Sequence, residues 1–266
     1  MKTRQGKGFL VVTAILLGWV GCAPKPQIVM DQVTANYAAI QGIQQEMDCY
    51  IAPLGVSLSG TCTYKQPNKI HCDFGDPMEA KIVSDGKTMW ISVPAYQTVL
   101  KMGAEDQDQE ISPKHIMTFM FPEVPLARLK EGFVPTNVSS ATLSGEKVWC
   151  LEVEPTAPES RISKAKLWVE QDSGAVRKYE TMDKNGRVSC RVIFDTITDT
   201  DGTWLARDVR VEEGNGNLVG SGTISEIKLN PSIQDSLFDF QAPAGMMVLD
   251  EVPMIGIPMP DILPLE

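Results

Sequence analysis

The sequence predicts a mainly β protein of the α+β class: a curved antiparallel sheet with an N-terminal helix and short helices over its concave side. Three observations lead there. First, the segment 164–228 holds five apolar runs with partial period-2 alternation, at 166–171, 176–182, 188–197, 204–212 and 218–228. Their breaks are Asp172-Ser173-Gly174, Asp183-Lys184-Asn185-Gly186, Asp199-Thr200-Asp201-Gly202 and Glu213-Gly214-Asn215-Gly216, where positive φ is cheap. Loops this short join only antiparallel neighbours. Second, 46–93 repeats the pattern around Asp85-Gly86, a strong hairpin signal. Third, the stretch between these two sets is dense in Met, Phe and Leu, more than a one-sided surface helix needs.

In chain order, residues 1–21 read as an export leader: Lys2, Arg4 and Lys7 precede an apolar core at 9–20, too short to span a bilayer as a helix. Gly21-Cys22 resembles a bacterial lipobox, with Trp19 departing from the usual Leu, Val or Ile. Cys22 is then a lipidation site followed by a tether over 22–27, and two or three acyl chains would hold the protein stably on a membrane. The alternative is an ordinary signal peptide with an incidental cysteine. Ala23 after the cysteine resembles the signal for sorting to the outer membrane.

A first helix is expected over 28–43, with Ile28, Val33, Tyr37 and Ile40 as its apolar stripe. Strands follow at 46–52, 57–64, 69–74, 80–83 and 88–93, with 97–102 at an edge. Residues 105–110 are an acidic connector. Ser112 as N-cap and Pro113 open a helix carrying Ile116, Met117, Phe119 and Met120. A short helix at 126–131 follows, then strands at 134–143 and 147–154 lead into the meander. Residues 251–266 form a C-terminal tail, in which 253–266 repeat Pro with Met, Ile and Leu without period.

Formal net charge is −10. Without the leader's three basic residues, the remainder carries −13, which repels phosphates and excludes nucleic acid as the main partner. Of the cysteines after Cys22, Cys62 can face either Cys49 or Cys72 across a hairpin but cannot bond to both. Buried free thiols, or metal ligation by the three, are the alternatives. His71 falls on the polar side of its strand and His115 lies beside Lys114. No nucleophile, phosphate-loop or dinucleotide motif occurs. No catalytic residue, metal or cofactor is therefore assigned, and the protein is read as a non-enzyme.

The order of several pieces resembles the LolA/LolB-like periplasmic lipoprotein carriers: Tyr64-Lys65-Gln66-Pro67-Asn68, Ser84-Asp85-Gly86, Leu167-Trp168-Val169-Glu170 before Gly174, then Asn230-Pro231, Leu237-Phe238, Pro243 and Gly245. The resemblance spans roughly 28–248. It implies a strongly curved, incomplete antiparallel barrel over 28–250, with helices in its mouth around a hydrophobic cavity for acyl chains. Leu58, Tyr64, Ile70 and Phe74 are the expected wall, and Met117, Phe119, Met120, Leu126 and Leu129 the lid. The implied function is reception or transport of lipoproteins or lipids by an outer-membrane-anchored, periplasm-facing lipoprotein, with a periplasmic carrier protein as a possible partner. The competing reading is a structural or sensory lipoprotein that binds a protein partner and fills the cavity with its own side chains.

Overall fold

A computed structural model describes residues 23–103 and 113–250, without the side chains of 113–115 and 117. The leader, Cys22, the acidic connector, Ser112, the His115 and Met117 side chains and the 251–266 tail lie outside the described residues.

Helix α1 (Pro26–Tyr37) is followed by a meander of β1 (Gly42–Ile51), β2 (Val56–Lys65), β3 (Lys69–Phe74), β4 (Lys81–Asp85), β5 (Thr88–Val93) and β6 (Thr98–Gly103). Helices α2 (Pro113–Met120), α3 (Val124–Ala127) and α4 (Leu129–Gly132) form the connection. A second meander runs through β7 (Phe133–Leu143), β8 (Glu146–Pro155), β9 (Lys164–Glu170), β10 (Val176–Met182), β11 (Val188–Thr200), β12 (Thr203–Glu213) and β13 (Leu218–Leu229), and β14 (Met247–Leu249) ends the described chain. All fourteen strands belong to one unclosed sheet, in the order 14-6-5-4-3-2-1-13-12-11-10-9-8-7. The seam between the meanders is β1 against β13, antiparallel from Ile43–Leu229 to Ile51–Gly220. Among the described residues no helix is long and apolar enough to cross a membrane.

The hairpins form where Asp and Gly punctuate the sequence, because each Asp side chain supplies the acceptor its turn needs. Asp85 Oδ1 accepts from the Lys87 and Thr88 amides, Asp183 Oδ1 from Asn185 and Arg187, and Asp199 Oδ1 from Gly202. The two-residue turn joining β11 to β12 has positive φ at both Asp201 and Gly202, the type I′ requirement.

Successive residues face opposite sides of the sheet. One concave row crosses nine strands: Val138, Leu151, Leu167, Tyr179, Val192, Val211, Gly220, Ile51 and Val56 are successive cross-strand partners. The adjacent row on the outer side alternates in charge, Glu152, Lys166, Glu180, Arg191, Glu212. Ion pairs join Lys166 to Glu152 (3.1 Å), Arg191 to Glu180 (2.8 Å) and Arg191 to Glu212 (3.1 Å). A slip of one residue would exchange these rows, so the pattern pins the register.

Two expectations need correction. The first helix stops at Tyr37, and its buried stripe is Val29, Met30, Val33, Thr34 and Tyr37, while Ile28 is exposed. The cause is tertiary. Asn230 Oδ1 accepts from the Gln41 and Gly42 amides (2.7 and 3.0 Å) and its Nδ2 donates to the Ala39 carbonyl (2.8 Å), turning the chain into a strand that begins at Gly42. The first hairpin turn, in turn, closes on Ile51 and Val56. Cys49 therefore faces Leu58, not Cys62. Cys62 faces Cys72, the other pairing left open, and the two form a disulfide; Cys49, Cys150 and Cys190 are in no disulfide.

After β13 the chain straps the outer side of the first meander. Asp235 pairs with Lys65 and Lys69, Lys69 Nζ stands 5.8 Å from the Phe238 ring, and Phe240 meets Trp90 at 5.8 Å. β14 then adds in parallel to β6, so the predicted edge strand is covered. Asn230→Ala removes three hydrogen bonds at the root of this strap and is expected to cost about 1–2 kcal/mol. Urea unfolding measures the loss, with Asn230→Asp, which keeps the acceptor, falling between the two.

Candidate functional site

The concave side of the sheet is covered by the four helices, and the site is the layer between them. α1 packs against α3, α4, β7, β8 and β12. Asn36 pairs with the Trp204 backbone through both its amide atoms (3.0 and 3.2 Å), and the Tyr37 hydroxyl accepts from the Val176 amide (3.1 Å). Lys130 of α4 reaches Asp31 of α1 at 2.7 Å, which holds the Asp31 carboxyl below the usual carboxylate range.

Leu58, Tyr64, Ile70 and Phe74 are buried on the concave side of β2 and β3. Met120, Leu126 and Leu129 are buried in the same continuous core, and Phe119 is packed against it, half-buried. The residues expected as wall and lid, where described, thus belong to one continuous core. Tyr64 meets Phe121 at 5.6 Å between ring centroids. His71 lies on the opposite side of the sheet, between Thr63 and Val83. Among the described residues, no group of three His, Cys, Asp or Glu side chains is placed to hold a metal.

Among the described residues, contacts of Gln45 and Gly220 hold α2 against the sheet. Gln45 of β1, itself buried, donates to the Met120 carbonyl at the helix end (2.9 Å). The Phe119 ring occupies the space a side chain at residue 220 would take: a Cβ on Gly220 would lie 2.7 Å from the ring and 2.8 Å from the Tyr50 carbonyl oxygen. Glu123, in the link between α2 and α3, is 3% exposed. Burial pushes its carboxyl up to about 7, since a charge in this apolar layer is poorly solvated.

Sequence reasoning missed Gln45, Glu123, Tyr179 and Gly220. The signal for Glu123 was present, as the one charge within the apolar run Phe119-Met120-Phe121-Pro122-Glu123-Val124-Pro125-Leu126. Gly220 and Tyr179 carried none, since only the register shows what stands opposite them.

This arrangement can bury an apolar guest by exchanging helix side chains for it. A family described as an uncharacterized protein-like family matches residues 78–242. The chain belongs to it. An outer-membrane lipoprotein carrier protein of Histophilus somni is 23% identical over 193 residues, covering 73% of this chain and 71% of that one. A domain assigned to outer-membrane lipoprotein sorting in Vibrio parahaemolyticus superposes with a TM-score of 0.60 at 12% identity, over 80% of this chain and 97% of the other. A LolA superfamily protein from Nitrosomonas europaea gives 0.54 at 13% identity, over 81% and 97%. The fold is LolA-like.

Gly220→Ala is expected to destabilise by about 1–3 kcal/mol through overpacking, with Phe119→Ala in the same chain recovering part of the loss. Urea melts of the single and double variants test this coupling. Glu123 ionises near 4.5 in the unfolded chain and near 7 when folded. The folded state therefore holds the proton more tightly, and ionisation opposes folding increasingly as pH rises between those values. Glu123→Gln should be the more stable protein above pH 7, by roughly 1–3 kcal/mol, and lose that advantage by about pH 4.5.

Proposed function

We propose that this protein is a lipid-anchored, periplasm-facing binder of acyl chains at the outer membrane, receiving or passing on lipoproteins or lipids. The observation that carries the reading is the cover of the concave face. It is a layer of short helices, α2–α4, resting on an apolar wall, and it follows a segment that joins them to β6. Displacing such a layer exposes the wall without unpairing a strand. Each acyl methylene then moved from water gains about 0.8 kcal/mol. Leu58, Tyr64, Ile70 and Phe74 are the wall in this reading, and Met117, Phe119, Met120, Leu126 and Leu129 the part that moves. Its support is the LolA-like fold together with relatives named as lipoprotein carriers. Cys22 is the anchor and 1–21 the leader removed before it, which puts the strongly acidic body in the periplasmic space.

A second reading has its own observation. Met120, Phe121, Leu126 and Leu129 are all buried against the wall, so the protein's own side chains cover the concave face in this conformation. A structural or sensory lipoprotein would keep them there and offer another surface to a protein partner.

The experiment is displacement of a fluorescent fatty acid, with mass spectrometry of lipid co-purified from membranes. Saturable displacement and bound lipid are expected, and a protein blind to the probe and free of lipid would overturn the carrier reading. Cys22→Ser should move the protein from the membrane to the soluble fraction. Unchanged membrane retention would count against the anchor.

A further inference from the structure

The sheet ends differently on its two sides. One end is β14, only three residues long and seated on β6. The other is β7, eleven residues long, and among the described residues it pairs with β8 alone. Every other strand of the second meander carries charged side chains, whereas β7 carries none. The whole run 132–145 is uncharged, in a chain of formal net charge −10. Edges are ordinarily protected from other chains by shortness, charge, proline or a bulge. Here Pro135 and the bulge between Pro135 and Asn137 protect the start of the strand only. From Asn137 to Leu143 the register with β8 is unbroken, and Asn137, Ser139, Ser140 and Thr142 are exposed.

The hairpin turn fixes which backbone groups face outward. Ser144 and Gly145 both have positive φ, the type I′ form, so Leu143 and Glu146 close the hairpin as a hydrogen-bonded pair. Backbone direction alternates from there. The groups of Ala141 and Ser139 turn to β8, and those of Thr142, Ser140 and Val138 turn away. We propose that this stretch is a self-pairing surface, to which β7 of a second copy adds antiparallel about a two-fold axis at Ser140. That register sets Ser140 against its own copy and Val138 against Thr142 of the second copy, so the outward donors and acceptors of the two strands meet. A two-fold interface must complement itself, and an uncharged strand of small side chains does so. Charge also favours a second copy, because two acidic bodies approach at least cost along a strip that carries no charge. The chain's own 251–266 suits the edge poorly, since Pro253, Pro258, Pro260 and Pro264 would interrupt a ladder. The surface is an edge and not the concave face, so it stands or falls independently of acyl binding.

The test is sedimentation of the whole protein in detergent across a concentration series, in which the parent should pass from monomer to dimer. Ser140→Pro deletes the N–H nearest the axis in both strands and should weaken the dimer about tenfold or more. Ser140→Lys sets two like charges face to face and should weaken it too, more so at low salt. Both variants should melt as the parent monomer does, since the backbone groups of residue 140 turn away from β8. In a Cys150→Ser background, Ser140→Cys should cross-link into a covalent dimer about tenfold faster than Ser139→Cys, whose thiol has no copy of itself opposite. A parent monomeric throughout, a dimer indifferent to both substitutions at 140, or a dimer that forms only once 251–266 is removed would overturn the proposal.

Discussion

Everything in this fold answers to one constraint: a wide open sheet whose concave face is apolar must be covered, and no second sheet is present among the described residues to cover it. The row from Val138 to Val56 crosses the sheet with the strand glycine Gly220 as its one gap, and Phe119 of the helix layer fills that gap. A sheet face of this kind costs far more exposed than any single hydrogen bond can offset, because each large side chain left in water forfeits about 1.5–3 kcal/mol. The helices are therefore obligatory. Among the described residues, Gln45 and the Phe119 socket hold α2 in place, and hydrophobic burial supplies most of what keeps the cover on the sheet.

The two sides of the sheet divide the work. The outer row Glu152–Lys166–Glu180–Arg191–Glu212 contributes modestly to stability, since half-exposed ion pairs are each worth roughly 0–1 kcal/mol. Its larger effect is on register. Alternating signs favour one alignment of five strands and penalise its neighbours, and that alignment is the one that turns Leu151, Leu167, Tyr179 and Val192 inward.

How much of this the sequence disclosed depends on whether the deciding contact was local. The hairpins of the second meander were legible because Asp183, Asp199 and Gly202 settle their own turns within four residues. The end of α1 was not, because the residue that ends it is Asn230, across the sheet seam. Of the two cysteine pairings left open, Cys62–Cys72 holds and Cys49–Cys62 does not, because the hairpin closes on Ile51–Val56 and slides Cys49 opposite Leu58. The burial of Leu58, Tyr64, Ile70, Phe74, Met120, Leu126 and Leu129 was recoverable from their apolar strand and helix positions.

The seam between β1 and β13 has a further consequence, for the order of events in folding. Ile43 pairs with Leu229, so the second strand-pairing edge of the first sheet strand is absent until nearly the whole chain has been made and delivered. Until then β1 presents an open edge and an apolar face together, the combination most prone to wrong pairing. Closure over so long a loop is also slow, since contacts distant in sequence are reached late in the search. The interval before the seam forms is therefore the one in which this edge is most exposed.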